Sequence, residues 1–203
     1  MRDRTRYFER MWLAKVLHSR ILNPRTKEKH PMANHTHAQT RAAAKRRTTK
    51  SAASQDALAL LRADHDAVLE LFEKFRAAKR SDQKQKLAEQ VCTELKIHTI
   101  IEEEIFYPEV RDAHPVDNTD LRLDEALVEH DAAKKLIAQI EDSQAGDDMF
   151  DARMQVLCEQ VTHHIKEEYR CIFPAARKAD IDLDEIGARM RARKQDLMQE
   201  RRH

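Results

Sequence analysis

The sequence predicts an all-α protein: an up-down antiparallel four-helix bundle with a fifth C-terminal helix and a disordered, basic N-terminal arm. Three observations predict it. The 203 residues include only 2 glycines and 5 prolines, too few for the turns of a multi-stranded β fold. From about residue 55 onward, apolar residues recur at the three- and four-residue spacing of a helix face. No stretch alternates apolar and polar residues as a half-buried strand requires.

Taken in order, residues 1–54 form the arm. Phe8, Trp12 and Val16 outline a weak amphipathic helix with a basic polar face, and Pro24 to Ser54 has no apolar period at all. Met32 is a second candidate start, which would make residues 1–31 upstream sequence. Residues 1–50 hold 14 Lys/Arg against 3 Asp/Glu, and the rest of the chain 23 against 33, so a net charge of +1 conceals a basic end and an acidic body.

Residues 55–203 form the helical domain. Its first helix carries Leu58, Leu61, His65, Val68, Leu69 and Phe72 on one face, with Ser54 as the expected N-cap. Ser81 is the expected cap of the second, whose face runs Leu87, Val91, Leu95, His98, Glu102 and Ile105; Pro108 should bend or end it. His114 to Asn118 reads as a loop. The third helix carries Leu123, Leu127, His130, Ala133 and Ile137 and should stop near Gly146. The fourth carries Phe150, Met154, Leu157, Val161, His164, Glu168 and Ile172 before Pro174. A shorter fifth begins near Asp184 with Ile186, Met190 and Leu197 facing in and a basic outer face.

Several functional classes drop out early. No uncharged run approaches the roughly 20 residues of a membrane span, and the arginine-rich start lacks the apolar segment of a secretory signal. Three cysteines, Cys92, Cys158 and Cys171, with no CxxC pair argue against a disulfide framework or a thiolate zinc site and favour a reducing cytoplasm.

The chemistry lies in what interrupts the apolar faces. Each long helix has one inward histidine: His65, His98, His130 and His164. Glu102 and Glu168 follow the second and fourth of these by four residues, which places each pair roughly 40° apart on one face. The pattern is duplicated. His65-Asp66 matches His130-Asp131, and His98-x3-Glu102-x5-Pro108 matches His164-x3-Glu168-x5-Pro174, so the body reads as two copies of a helix pair. One buried histidine or one solvated glutamate needs no explanation. Six such groups buried without partners would cost several kcal/mol each, of the order of the whole net stability. A pair of metal ions removes that cost. Imidazole and carboxylate ligands suit iron, and manganese less well, and the absence of HExxH excludes the common metalloprotease pattern.

Asp64-His65-Asp66, His98-x3-Glu102-x5-Pro108, Glu129-His130-Asp131 and His164-x3-Glu168-x4-Phe173-Pro174 together resemble the hemerythrin HHE cation-binding domain family over about residues 55–178. The resemblance implies a non-haem di-iron centre with His65, His98, His130 and His164 as terminal ligands and Glu102 and Glu168 bridging two iron ions. It also implies a small diatomic or peroxide ligand, with peroxide-consuming or other redox activity, or iron storage, delivery or sensing without catalysis. Two departures set this chain apart from the oxygen carriers of that family. Lys134 stands where they have a second third-helix histidine, and His164 precedes Glu168 by four residues rather than preceding an aspartate by five; His163 would restore five. With fewer histidines, one iron is expected to carry solvent, an extra carboxylate or a tyrosinate, which argues against simple oxygen carriage. An exchangeable site would suit oxygen or peroxide chemistry, nitric oxide sensing or donation of iron.

The remaining candidates have blander expectations. Glu103, Glu104 and Glu167 should form a solvated acidic face, Tyr107 and Tyr169 should be boundary aromatics, and Cys171 a buried small hydrophobe. His30, His35 and His37 have no ordered setting to bind metal. The basic run from Arg41 to Lys50 has the charge to contact nucleic acid but none of the aromatic interleaving of a dedicated site.

Overall fold

The computed structural model describes residues 56–113 and 118–201. The expectations for the arm, including its amphipathic helix, His30, His35, His37, the 41–50 run and the Ser54 cap, lie outside these residues, as does most of the 114–118 loop.

Helix α1 is Ala57–Ala77, α2 Ser81–Ile101, α3 Tyr107–Asp112, α4 Thr119–Glu141, α5 Phe150–Glu167, α6 Phe173–Lys178 and α7 Leu183–Glu200. Two π-helical turns, Glu102–Phe106 and Glu168–Ile172, join α2 to α3 and α5 to α6 without a break in helical backbone. No strand occurs among the described residues. Neighbouring helices pack α1 on α2, α4 on α5, α2 on α4 and α1 on α5, closing a four-helix bundle, and α7 lies against α1 and α2.

The ends of the helices depart from expectation in instructive ways. Asp56 caps α1, accepting from the Ala59 amide at 2.7 Å. Ser81 is the first helical residue of α2 and makes no capping bond; Arg80 occupies the cap position. Helix α4 stops at Glu141, five residues before Gly146; the Ser143 amide donates to the Ile140 carbonyl and the Ser143 hydroxyl sits within reach of the Gln139 and Ile140 carbonyls, closing the last turn. Gly146 instead serves the following loop, where its φ of +113° suits glycine. Pro108 and Pro174 do not end their helices. Tyr107 and Phe173 donate their amides five residues back, to the carbonyls of Glu102 and Glu168. The widened turn makes room for the carbonyl that the pyrrolidine ring would otherwise strike, so the rod runs on.

Two apolar clusters fill the bundle. One holds Val68, Phe72, Leu95, Ile137, Leu157 and Val161, the other Leu61, Ile101, Phe106, Leu123, Ile172 and Phe173. On every long helix, Ile97 and Ile165 apart, the inward histidine falls in sequence between the residues of the first cluster and those of the second. The polar residues therefore form a layer across the bundle, sealed at both ends by hydrocarbon. Ile186, Met190 and Leu197 of α7 extend the second cluster. Its arginines and lysine are not a free basic face: Arg189 pairs with Glu109, Arg193 with Glu104 and Lys194 with Asp64.

Candidate metal centre

His65, His98, His130 and His164 are all buried, and Glu102 and Glu168 have no exposed surface. The six converge. Nε2 of His65 lies 3.0 Å from Nε2 of His98, and Nε2 of His130 lies 3.2 Å from Nε2 of His164. Glu102 stands between the two pairs, Oε1 3.2 Å from His98 and Oε2 3.4 Å from His130. Glu168 does likewise from the other side, with Oε2 3.1 Å from His65 and 3.8 Å from His164. Donor atoms of His65, His98, Glu102 and Glu168 fall within 4.8 Å of one another, as do those of Glu102, His130 and His164. His163 points outward, 65% exposed, so His164 is the inward residue of the pair.

The π turns explain part of this geometry. Residues five apart on an α-helix diverge by roughly 140°, but a turn closed by an i→i+5 bond brings them nearly into line. Tyr107 thereby shares the face of Glu102, and its hydroxyl donates to Glu168 Oε1 at 3.1 Å. It is a fully buried member of the site rather than a boundary aromatic. Phe173 shares the face of Glu168 in the same way and stacks on His65, with ring centroids 6.1 Å apart.

A second layer of side chains faces the outer ring nitrogens, and most of it escaped sequence reasoning. Nδ1 of His65 meets the Tyr169 hydroxyl at 3.2 Å, Nδ1 of His130 meets Glu103 at 2.8 Å, and Nδ1 of His164 meets Glu129 at 2.9 Å. Nδ1 of His98 faces Asp64 at 3.8 Å. Glu103 is thus no part of a solvated acidic face; Lys134 holds it at 2.7 and 2.8 Å. Glu104 and Glu167 do lie at the surface, paired with Arg193 and Arg170. Tyr169 is a half-buried boundary aromatic, as expected, and its hydroxyl also meets His65. Cys171 is half-buried, more open than the buried small hydrophobe expected. The sequence carries part of this layer: Asp64 and Glu129 immediately precede His65 and His130, but in the fold they face His98 and His164 instead.

The electrostatics belong to a site built for cations. Burial depresses His98, but the Glu102 charge and the Asp64 contact outweigh it and lift its pKa to about 10. His130 rises to about 9 against the same burial, through Glu102 and Glu103. His65 falls to about 3, through burial and the neighbouring His98. Burial and the adjacent Glu102 carboxylate push Glu168 up to about 8. Oε1 of Glu102 and Oε2 of Glu168 are buried without a hydrogen-bond donor. Such orphans are costly in a protein interior. Metal ions between the histidine pairs would satisfy both, so the donor set fits them. With no thiolate available, imidazoles plus carboxylates favour iron.

Fold and site together define a helical-bundle metal-binding protein whose centre is made of histidine and glutamate. The chain belongs to the hemerythrin family: the hemerythrin HHE cation-binding domain matches residues 56–194. A solved structure of a hemerythrin HHE cation-binding domain-containing protein from Mycobacterium kansasii is similar in fold, with a TM-score of 0.60 and 23% identity over 70% of this chain and 86% of that one. Among curated proteins none matches. No helix among the described residues is long and apolar enough to cross a membrane.

Proposed function

We propose that this chain holds two non-haem iron ions in the layer between its apolar clusters and uses them to sense or process dioxygen, peroxide or nitric oxide. The observation that carries this is the position of Glu102, whose two oxygens reach different histidine pairs, at 3.2 and 3.4 Å. One carboxylate so placed can hold two cations at once. Bound iron would supply reversible redox chemistry toward a small ligand.

The chain's own residues do the rest. His65, His98, His130 and His164 offer Nε2 inward because Tyr169, Asp64, Glu103 and Glu129 face their Nδ1 atoms, which fixes ring orientation. Tyr107 donates to Glu168 and sets that carboxylate's rotation. Phe106, Phe173, Leu95 and Val161, drawn from the two clusters, keep bulk water from the layer. The three free cysteines fit a reducing cytoplasm.

The test is the optical response of the iron-loaded chain to dioxygen, hydrogen peroxide and nitric oxide, with peroxide turnover measured alongside. A response that disappears in His98→Ala supports the proposal. Two irons with no response to any of the three would leave storage or delivery of iron as the function.

A further inference from the structure

The two halves of the centre are not equivalent. Oε2 of Glu168 lies 3.1 Å from Nε2 of His65 but 3.8 Å from Nε2 of His164. It falls in one tight group with His65, His98 and Glu102, whereas the group around His130 and His164 holds Glu102 alone, so the second half is the more lightly held. The outsides differ too. His65 is covered by Phe173 stacked on its ring and by Tyr169 on Nδ1, and the Arg62 guanidinium lies 4.8 Å from the Tyr169 ring centre and 5.1 Å from that of Phe173. Lys194 and Asp64 cover His98.

The opposite half opens onto a groove of about 620 Å³ between α4 and the second π turn. Leu121 and Val128, 53% and 69% exposed, stand on its α4 wall, and Cys171 and Ile172 on the other. The buried metal-centre residues His164 and Glu168 are among those that line it. The Glu168 oxygen that lacks a hydrogen-bond partner, Oε2, lies between His65 at 3.1 Å and His164 at 3.8 Å. The groove's charged lining is mostly acidic: Asp124, Glu125, Glu129 and Glu167 outnumber Arg122 and Arg170. An acidic, partly apolar approach repels anions and admits small uncharged molecules.

We propose that the position bounded by Glu102, His130 and His164 is the exchangeable one, and that uncharged ligands of the dioxygen, nitric oxide and hydrogen peroxide class reach it along this groove. The proposal rests on the iron-binding function above and adds which half reacts and by what route.

The test uses the full iron-loaded chain, reduced, with nitric oxide association followed by stopped-flow absorbance and iron counted in every sample. The groove is narrowed in two independent ways: by the double substitution Leu121→Trp with Val128→Trp on the exposed wall, and by a bulky maleimide on Cys171, the most accessible of the three thiols. Arg62→Ala opens the other face. With iron content unchanged, association should slow about fivefold or more in both narrowed forms and stay at the wild-type rate in Arg62→Ala. Wild-type rates in both narrowed forms, or faster association in Arg62→Ala, would overturn the route while leaving the iron function standing. A wild-type protein that loads iron but gives no nitric oxide signal would overturn both.

Discussion

Lys194, on the helix outside the bundle, donates to Asp64 at 2.7 Å, and the other oxygen of that carboxylate faces Nδ1 of His98 at 3.8 Å. The last helix therefore reaches the centre through two side chains. Lys194 and Asp64 are both largely buried, so removing the cation leaves a carboxylate with less compensation. Lys194→Met should cost about 2 kcal/mol of stability and weaken metal binding about 10-fold. Chemical denaturation and a chelator competition check the two effects.

Adjacent glutamates should behave differently. Glu103 bonds the His130 ring and the Lys134 ammonium, whereas Glu104 pairs with Arg193 at the surface. Glu103→Gln should weaken metal binding about 10- to 100-fold. Glu104→Gln should change stability by about 0.5 kcal/mol or less and leave binding alone. Metal titrations of both variants distinguish them, and equal losses would place Glu103 with the solvated residues after all.

Metal binding should release protons. His98 and His130, with pKa values of about 10 and 9 in the metal-free chain, carry protons at pH 7, and Glu168 at about 8 is mostly protonated there. A cation must displace them, so apparent affinity rises with pH from 6 to 9 and falls as the solution is acidified. Calorimetry in two buffers of different ionisation enthalpy reads the proton count directly; zero release would contradict these protonation states.

Removing metal should destabilise the fold. Oε1 of Glu102 and Oε2 of Glu168 are then left against histidine Nε2 atoms at 3.2 and 3.1 Å without a well-formed hydrogen bond. At a free metal concentration 1,000 times Kd, binding to the native state alone adds about 4 kcal/mol. Adding a chelator should therefore lower the melting temperature of the wild type and have little effect on Glu102→Gln.

The sequence made the inner layer legible because helix periodicity places His65, His98, His130, His164, Glu102 and Glu168 on apolar faces, and because the pattern occurs twice. It hid the residues behind them. Asp64, Glu103 and Glu129 sit beside ligands at the edge of a helix face, where a charged residue ordinarily meets water; only contact with a ring nitrogen separates the two cases. Tyr107 was hidden for a different reason. A constant period of 3.6 residues turns it away from Glu102, and the π turn that turns it back is signalled only by the proline following each glutamate. Helix α4 ends at Glu141, five residues before the glycine, where the amide and hydroxyl of Ser143 fold back on the last turn, a local contact that apolar periodicity does not signal.

The most direct measurement is metal stoichiometry: iron per chain in the purified protein by elemental analysis, repeated for Glu102→Gln and for His130→Ala. Two irons per wild-type chain are expected, with loss or severe weakening of both in Glu102→Gln and of one in His130→Ala. A wild-type chain that binds no metal, or two variants that retain the full wild-type complement, would contradict a shared dinuclear centre.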